Sequence, residues 1–346
     1  MVTESVAKIA FLAPLTGAES VVGVPMMQAV ALAVAEANAR FEFPFSVELL
    51  ALDDEANPLK ARQLAESLTR DRAVVGVVGH KNSGPSAAAG AVYAAAGLAQ
   101  ITPSSTNSDL ARQGWPTFFR ICADNDRQAT AAARYAQESL GVRRLAVIHD
   151  GTDYGLPLAE TFASAAVDGG AEVALLERVA LGQREFGATV ARIEAVAPDL
   201  VYFGLTEIES AYLTRDLRRA GVESLLFGAD GGRQSPFPRL AGKAAEGVYE
   251  TYAGVEPETL AFVQACESRY GHCPIFGPEA YDAASLLLEA LRRAGAVDRR
   301  AVLAELQTLD GFEGATGALA FEANGNRRDA RVTIWRVVDG EMRLLL

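Results

Sequence analysis

Cysteine and histidine are scarce in this chain, with three of each in 346 residues. Three cysteines (Cys122, Cys266, Cys273) are too few for a disulfide framework. Cys266 and Cys273 are near enough in sequence to bridge across a helix end in an oxidising compartment; otherwise all three are small inert apolar side chains. His80, His149 and His272 are far apart and none falls in a cluster with metal-ligand spacing, so no metal and no cofactor is expected. Long apolar runs are also missing. No stretch of about 18 consecutive apolar residues occurs, so nothing reads as a bilayer span. Basic runs are absent too, and the formal net charge is −12, which argues against nucleic acid or an anionic membrane surface as partner. Residues Met1 to Lys8 carry no secretory leader, so the protein is expected to be either cytoplasmic or extracytoplasmic with its leader removed, a lipid anchor then being an option.

What is present is regular alternation. Lys8–Pro14 is a short apolar run ended by Pro and Gly, the mark of a buried strand. A helix over Pro25–Asn38 follows, with Met26, Val30, Ala33, Val34 and Ala37 on one face. Strands at 46–52, 74–78 and 99–102 then alternate with helices at 58–70 and 86–96. The pattern resumes after Cys122, with strands at 145–149, 172–179, 200–204 and 225–229 and helices between them. Helices at 258–270, 278–294 and 300–309 and strands at 319–321 and 332–338 close the chain. Such alternation predicts an α/β protein with two parallel, helix-flanked sheets, and the length suits two domains. No Gly/Ser/Pro tether occurs, so Thr117–Ile121 and Val248–Tyr252 are expected to be short strands crossing between lobes.

Open parallel sheets bind ligands outside the carboxyl ends of their strands. No G-x-G-x-x-G follows the first strand, and Gly79-His80-Lys81-Asn82-Ser83-Gly84 lacks the G-K-[ST] of a phosphate loop, so nucleotide binding is not expected. Thr102-Pro103-Ser104-Ser105-Thr106-Asn107 is a dense set of hydroxyls and amides. It reads either as a turn and helix cap or, together with Ser83, as a neutral donor-rich cradle for a carboxylate. Ser83 alone reads as an N-cap. In the second half, Asp230 before Gly231 and Gly232 is either a turn aspartate or the partner of a ligand ammonium. No nucleophile elbow occurs. His149-Asp150 could be an acid–base pair, but a locally bonded strand-end histidine is the simpler reading, and no enzyme activity is expected.

The strand-end segments KIAFLAPLTG, DDEANP, VVGH…SG, ITPSSTNSDL, FFRI, VIHDGTDYG and VYFG…E resemble, in order and spacing, the branched-chain amino-acid-binding periplasmic proteins of ABC transporters. The resemblance runs from about Lys8 to Val338. It implies the type I fold: two Rossmann-like lobes joined by three crossing segments, here residues 1–120 with 251–328 and residues 121–250 with 329–346. It implies an extracytoplasmic, monomeric receptor that closes around a small amino-acid-like ligand and delivers it to a membrane permease. A sensor of amides or amino acids on the same fold is the rival reading.

Matched residue by residue, the family's carboxylate grip falls on Ser83, Ser104 and Thr106, with Ser105 lining the loop. Its ammonium grip falls on the Ser104 carbonyl, Thr106 and Asp230, flanked by Gly231, and Tyr154 matches a tyrosine that closes over the ligand. The side-chain subsite departs from the family. Val22-Gly23 replaces an aromatic pattern, Lys81 stands at an apolar wall position, Thr206 replaces an aromatic and precedes Glu207, and Phe276 remains as a wall. Ala56 and Asn82 stand where some relatives carry half-cystines. Lys81 is expected either to face solvent or pair with Glu207, or to meet a polar or anionic ligand side chain.

Overall fold

A computed structural model describes residues 6–40, 43–230, 235–254, 260–271, 273 and 275–346. The chain divides into two units, Met1–Ala123 with Glu256–Arg331 and Asp124–Val255 with Val332–Leu346, and passes between them three times.

The first unit opens with β1 (Val6–Ala13), α1 (Ser20–Ala39), β2 (Ser46–Asp53), α2 (Pro58–Arg70), β3 (Val74–Gly79), α3 (Ser83–Ala96), β4 (Ala99–Thr102), α4 (Asp109–Arg112) and β5 (Phe118–Arg120). Its sheet has the order β2-β1-β3-β4-β5, and every pairing is parallel. β3 and β4 are buried at every residue, as strands covered on both faces must be. Local chemistry sets the helix starts. Asn57 accepts from the N–H groups of Leu59 and Lys60, and Pro58 occupies the first turn, where its missing donor costs nothing.

The second unit continues with α5 (Asn125–Glu138), β6 (Arg144–His149), α6 (Gly155–Asp168), β7 (Glu172–Arg178), α7 (Gly187–Val196), β8 (Leu200–Gly204), α8 (Glu207–Ala220), β9 (Leu225–Ala229), α9 (Phe237–Ala241) and β10 (Tyr249–Tyr252). The chain then returns to the first unit for α10 (Leu260–Tyr270), α11 (Gly277–Ala294), α12 (Arg299–Thr308), β11 (Phe312–Gly314) and β12 (Gly317–Leu319). It ends in the second unit with β13 (Thr333–Val338) and β14 (Glu341–Leu344). The second sheet runs β14-β13-β10-β9-β8-β6-β7. Its core stacks Phe162 on Tyr202 with the rings nearly parallel and their centroids 3.7 Å apart.

Several expectations are corrected. The second sheet is mixed, because β13 pairs antiparallel with β10 and β14 with β13. The stretches expected to be short strands crossing between lobes are strands, β5 in the first unit and β10 in the second, but each lies within one sheet and the passages follow them. Helix α1 begins at Ser20 and carries Pro25 inside it. It is long and apolar enough by composition to cross a membrane, but its Val22, Met26, Val30, Ala33 and Ala37 are core residues. The close seat of α1 depends on Gly23, where a Cβ would stand 2.0 Å from the Pro14 carbonyl oxygen. Helix α3 begins at Ser83, three residues earlier than its apolar pattern suggests, and Asn82 is its N-cap residue. Cys266 and Cys273 are buried and are not joined as a disulfide; a hydrogen bond from Cys273 lowers the pKa of the Cys266 thiol.

Candidate functional site

Parallel pairing brings the loops after β1, β3 and β4 to one edge of the first sheet. Two side chains tie them down. Thr102, at the end of β4, donates to the His80 carbonyl at 2.9 Å and accepts from the Ser105 N–H at 2.9 Å. Ser105 lies 2.9 Å from the same His80 carbonyl and 2.7 Å from the Ser86 hydroxyl. A hydroxyl has one proton, so Ser105 donates to His80 and accepts from Ser86. Its single proton is therefore committed to holding the loop. Ser104 donates to the Lys81 carbonyl at 3.0 Å. Beneath these loops His80 is buried between Asp54, 2.6 Å from Nδ1, and Tyr93, 3.1 Å from Nε2.

Within this tied loop, two hydroxyls keep capacity to bind. Ser83 is not an N-cap; its Oγ accepts from the Asn107 N–H at 3.2 Å, which leaves its own proton to donate. Thr106 is fully buried and its hydroxyl makes no hydrogen bond among the described residues. A buried polar atom without a partner costs about 1–3 kcal/mol, so its presence in an otherwise satisfied loop marks a place for an external partner.

Arg120 sets the position of Thr106. Its Nη1 donates to the carbonyls on either side of Thr106, Ser105 at 3.2 Å and Asn107 at 2.7 Å, while Nε and Nη2 hold Asn326 Oδ1 at 3.1 and 2.6 Å. The guanidinium is wholly buried. Sequence reasoning noted the FFRI segment but gave this arginine no role, because its partner Asn326 is remote in the chain.

Lys81 faces neither solvent nor a bare cavity. Its ammonium is 2.8 Å from Glu19, with only 9% of the side chain exposed, and Asn82 donates to the same carboxylate oxygen at 2.8 Å. Burial pushes the Glu19 carboxyl up, but Lys81 and Asn82 together hold it below the usual carboxylate range. Val22, counted among the ligand-site residues, and Phe276, expected as a wall, are both buried in the first unit, 1% and 3% exposed. Phe276 stands with φ +54° just before α11.

The second unit has its own polar edge after β6, β8 and β9. Gly155 and Gly204 let two of these loops meet, since a Cβ on Gly155 would stand 2.3 Å from the Gly204 carbonyl oxygen. Asp230 has the left-handed backbone φ of +61°, one that aspartate tolerates better than most residues. Its Oδ1 accepts from Gln128 Nε2 at 2.8 Å, and the same amide reaches Thr251 Oγ1 at 3.0 Å. Burial, then the charge of Asp230, pushes the Tyr154 phenol far up, so it stays protonated. Glu250 is buried, and burial followed by the charges of Glu207 and Asp230 raises its carboxyl well above normal. Gln128 and Glu250 escaped sequence reasoning because neither lies at a strand end.

Thr206 precedes α8, and its hydroxyl donates to the Glu209 carboxylate. Gly231 lies outside the described residues. Asp150 Oδ1 accepts from the Thr152 N–H and hydroxyl, a local turn. The structure thus gathers Lys81, Ser83, Ser104, Ser105 and Thr106 on one edge of the first unit, and Tyr154 and Asp230 on an edge of the second. Among the described residues no group of three or more His, Cys, Asp or Glu side chains could hold a metal ion.

Comparison with known proteins agrees with this architecture. The chain is 28% identical over 333 residues to the leucine-, isoleucine-, valine-, threonine-, and alanine-binding protein of Pseudomonas aeruginosa, covering 95% of this chain and 89% of that one. It is 29% identical over 321 residues to Leu/Ile/Val-binding protein homolog 2 of Brucella abortus, covering 91% and 85%. The leucine-binding protein LivK of Thermotoga maritima superposes with a TM-score of 0.86 at 26% identity, over 98% of both chains. The sequence profile described as periplasmic binding protein matches residues 6–341. On that match across nearly its whole length, the chain belongs to the periplasmic binding protein family, whose members bind solutes and are not enzymes.

Proposed function

We propose that the protein is the extracytoplasmic receptor of an ABC importer and captures an amino acid or closely related small carboxylate. The observation that carries this is the buried Thr106 hydroxyl without a protein partner, beside the Ser83 hydroxyl with an uncommitted proton. Both are neutral donors, and together they would hold a carboxylate without a facing arginine. The buried Arg120 guanidinium, fixed behind the loop, adds favourable charge from the rear.

Asp230 supplies the complementary group. Oriented by Gln128, its carboxylate would take the ligand's α-ammonium, a charge-assisted bond of about 1.5–3 kcal/mol, with the Ser104 carbonyl and Thr106 as further partners. Tyr154, protonated at any physiological pH, would close over the ligand, with Thr206 near it. A ligand that meets both units only when they close favours the closed state, and closure expels water and strengthens each polar contact. The monomeric closed form would then be the species offered to the membrane permease. The names of the curated relatives, which bind leucine, isoleucine and valine, support the same ligand class.

Thermal denaturation of refolded, ligand-stripped protein against the amino acids tests this reading. A ligand at about 1,000 times its Kd adds about 4 kcal/mol of stability. A melting shift with an α-amino acid supports the assignment. Shifts only with amides or non-amino carboxylates would remove Asp230 as ammonium partner and favour a sensor.

A further inference from the structure

The Lys81–Glu19 pair lies beside the proposed carboxylate cradle without belonging to it. Lys81 is the residue whose carbonyl receives the Ser104 hydroxyl, so its side chain leaves the polypeptide at the rim of that loop. Glu19 is the N-cap residue of α1, reached from the neighbouring strand β1. The two side chains are 9% and 20% exposed, so each keeps only a narrow face open. Lys81 and Asn82 both donate to Glu19 Oε2.

We propose that this ion pair forms the far end of the ligand subsite and selects an amino acid whose side chain ends in a neutral hydrogen-bonding group, such as a carboxamide, over an aliphatic one. The inference rests on the amino-acid reading above and narrows it. A ligand seated in the cradle covers the open faces of the pair and removes their remaining water. Under a leucine or valine side chain, the open faces of the pair exchange water for methyl groups, and each polar contact so lost costs about 1–3 kcal/mol. A carboxamide carries an acceptor for the ammonium and donors for the carboxylate, and so replaces that water.

An anionic side chain is not selected, because whatever it gains from Lys81 it loses to Glu19, 2.8 Å away. This differs from what a lone lysine at the position would do. One lost polar contact of that size is about a 10- to 100-fold difference in affinity.

Calorimetric titration with L-glutamine, L-asparagine, L-leucine and L-valine tests the proposal on ligand-stripped wild-type protein and on the double variant Glu19→Leu with Lys81→Met. Replacing both members of a buried pair by apolar residues is often neutral for stability, and a melting curve of the variant checks that it folds. At least one carboxamide amino acid is expected to bind wild type tenfold or more tighter than leucine, and the double variant to reverse that order. Leucine or valine binding wild type as tightly as either carboxamide overturns the proposal while leaving the receptor function intact, whether or not the variant folds. So does a folded variant with an unchanged preference. Failure of all four amino acids to bind wild type overturns this inference, whereas the amino-acid reading falls only if no amino acid shifts the melting temperature.

Discussion

Arg120 and Asn326 are 206 residues apart in sequence and joined by two hydrogen bonds, Nε and Nη2 of the guanidinium both reaching Asn326 Oδ1. The remaining nitrogen holds the carbonyls of Ser105 and Asn107. A segment from late in the chain thus fixes the loop after β4, and the Thr106 hydroxyl sits between two anchored carbonyls. Arg120→Met removes every one of these bonds and is expected to cost about 3–5 kcal/mol of stability in urea denaturation. Asn326→Ala should cost less, about 1.5–3 kcal/mol, because the two loop carbonyls remain held.

Thr106 and Ser105 should separate stability from binding. Thr106→Val keeps the shape and deletes a hydroxyl that nothing in the protein uses. Stability is expected to hold or rise slightly, while affinity for the amino-acid ligand falls about 10- to 100-fold. Ser105→Ala removes the link among Ser86, His80 and Ser105 and should cost about 1–3 kcal/mol of stability. Paired denaturation and titration of both variants read the contrast.

Asp230→Asn preserves size and removes the negative charge beside Gln128 and Tyr154. Affinity for the amino acid is expected to fall about 10- to 100-fold, whereas the matching carboxylic acid without the amino group should bind wild type and variant alike. Equal losses for both compounds in a competition titration would place Asp230 away from the ammonium.

Glu250 gives the pH dependence a definite sign. Its folded pKa is raised above the ordinary 4.5, first by burial and then by Glu207 and Asp230. Below the ordinary value both folded and unfolded chains carry the proton, and its stabilising contribution is complete. As pH rises from there through the folded pKa, the unfolded chain ionises first, so the contribution is lost. Relative to Glu250→Gln, the wild type should therefore lose stability as pH rises across this window, measured by denaturation at a series of pH values. A wild-type curve that gains on the variant with rising pH would contradict the burial of this carboxyl.

Much of the fold was legible because the strands of buried parallel sheets are continuous apolar runs. Helix α2 and strands β4, β8 and β9 coincide with the segments read from periodicity and turn residues. Some short elements were not legible. Helix α4 has four residues and β11 three, too few to show a period, and β14 carries exposed charges on an edge. The antiparallel return of β13 left no sign in a run of apolar residues, since pairing direction is not encoded in burial.

The candidate site divides along the same line. The hydroxyl-rich run 102–107, Ser83 and Asp230 could be singled out from sequence because each follows a strand, where a parallel sheet exposes backbone donors. Their differing roles could not. Ser83, Ser105 and Thr106 are chemically alike, and only three-dimensional contacts decide that Ser105 is engaged, Ser83 half engaged and Thr106 buried without a partner. Nor could sequence assign Lys81 its partner, because Glu19 is 62 residues away on a different loop. The sequence by itself determined the alternation of strand and helix, the family, and which loops gather at a sheet edge, since these follow from local hydrophobic pattern and chain order. Tertiary structure decided which hydroxyls stay available, which charge is neutralised and which arginine holds the loop, because hydrogen-bond capacity is consumed by neighbours that the fold supplies.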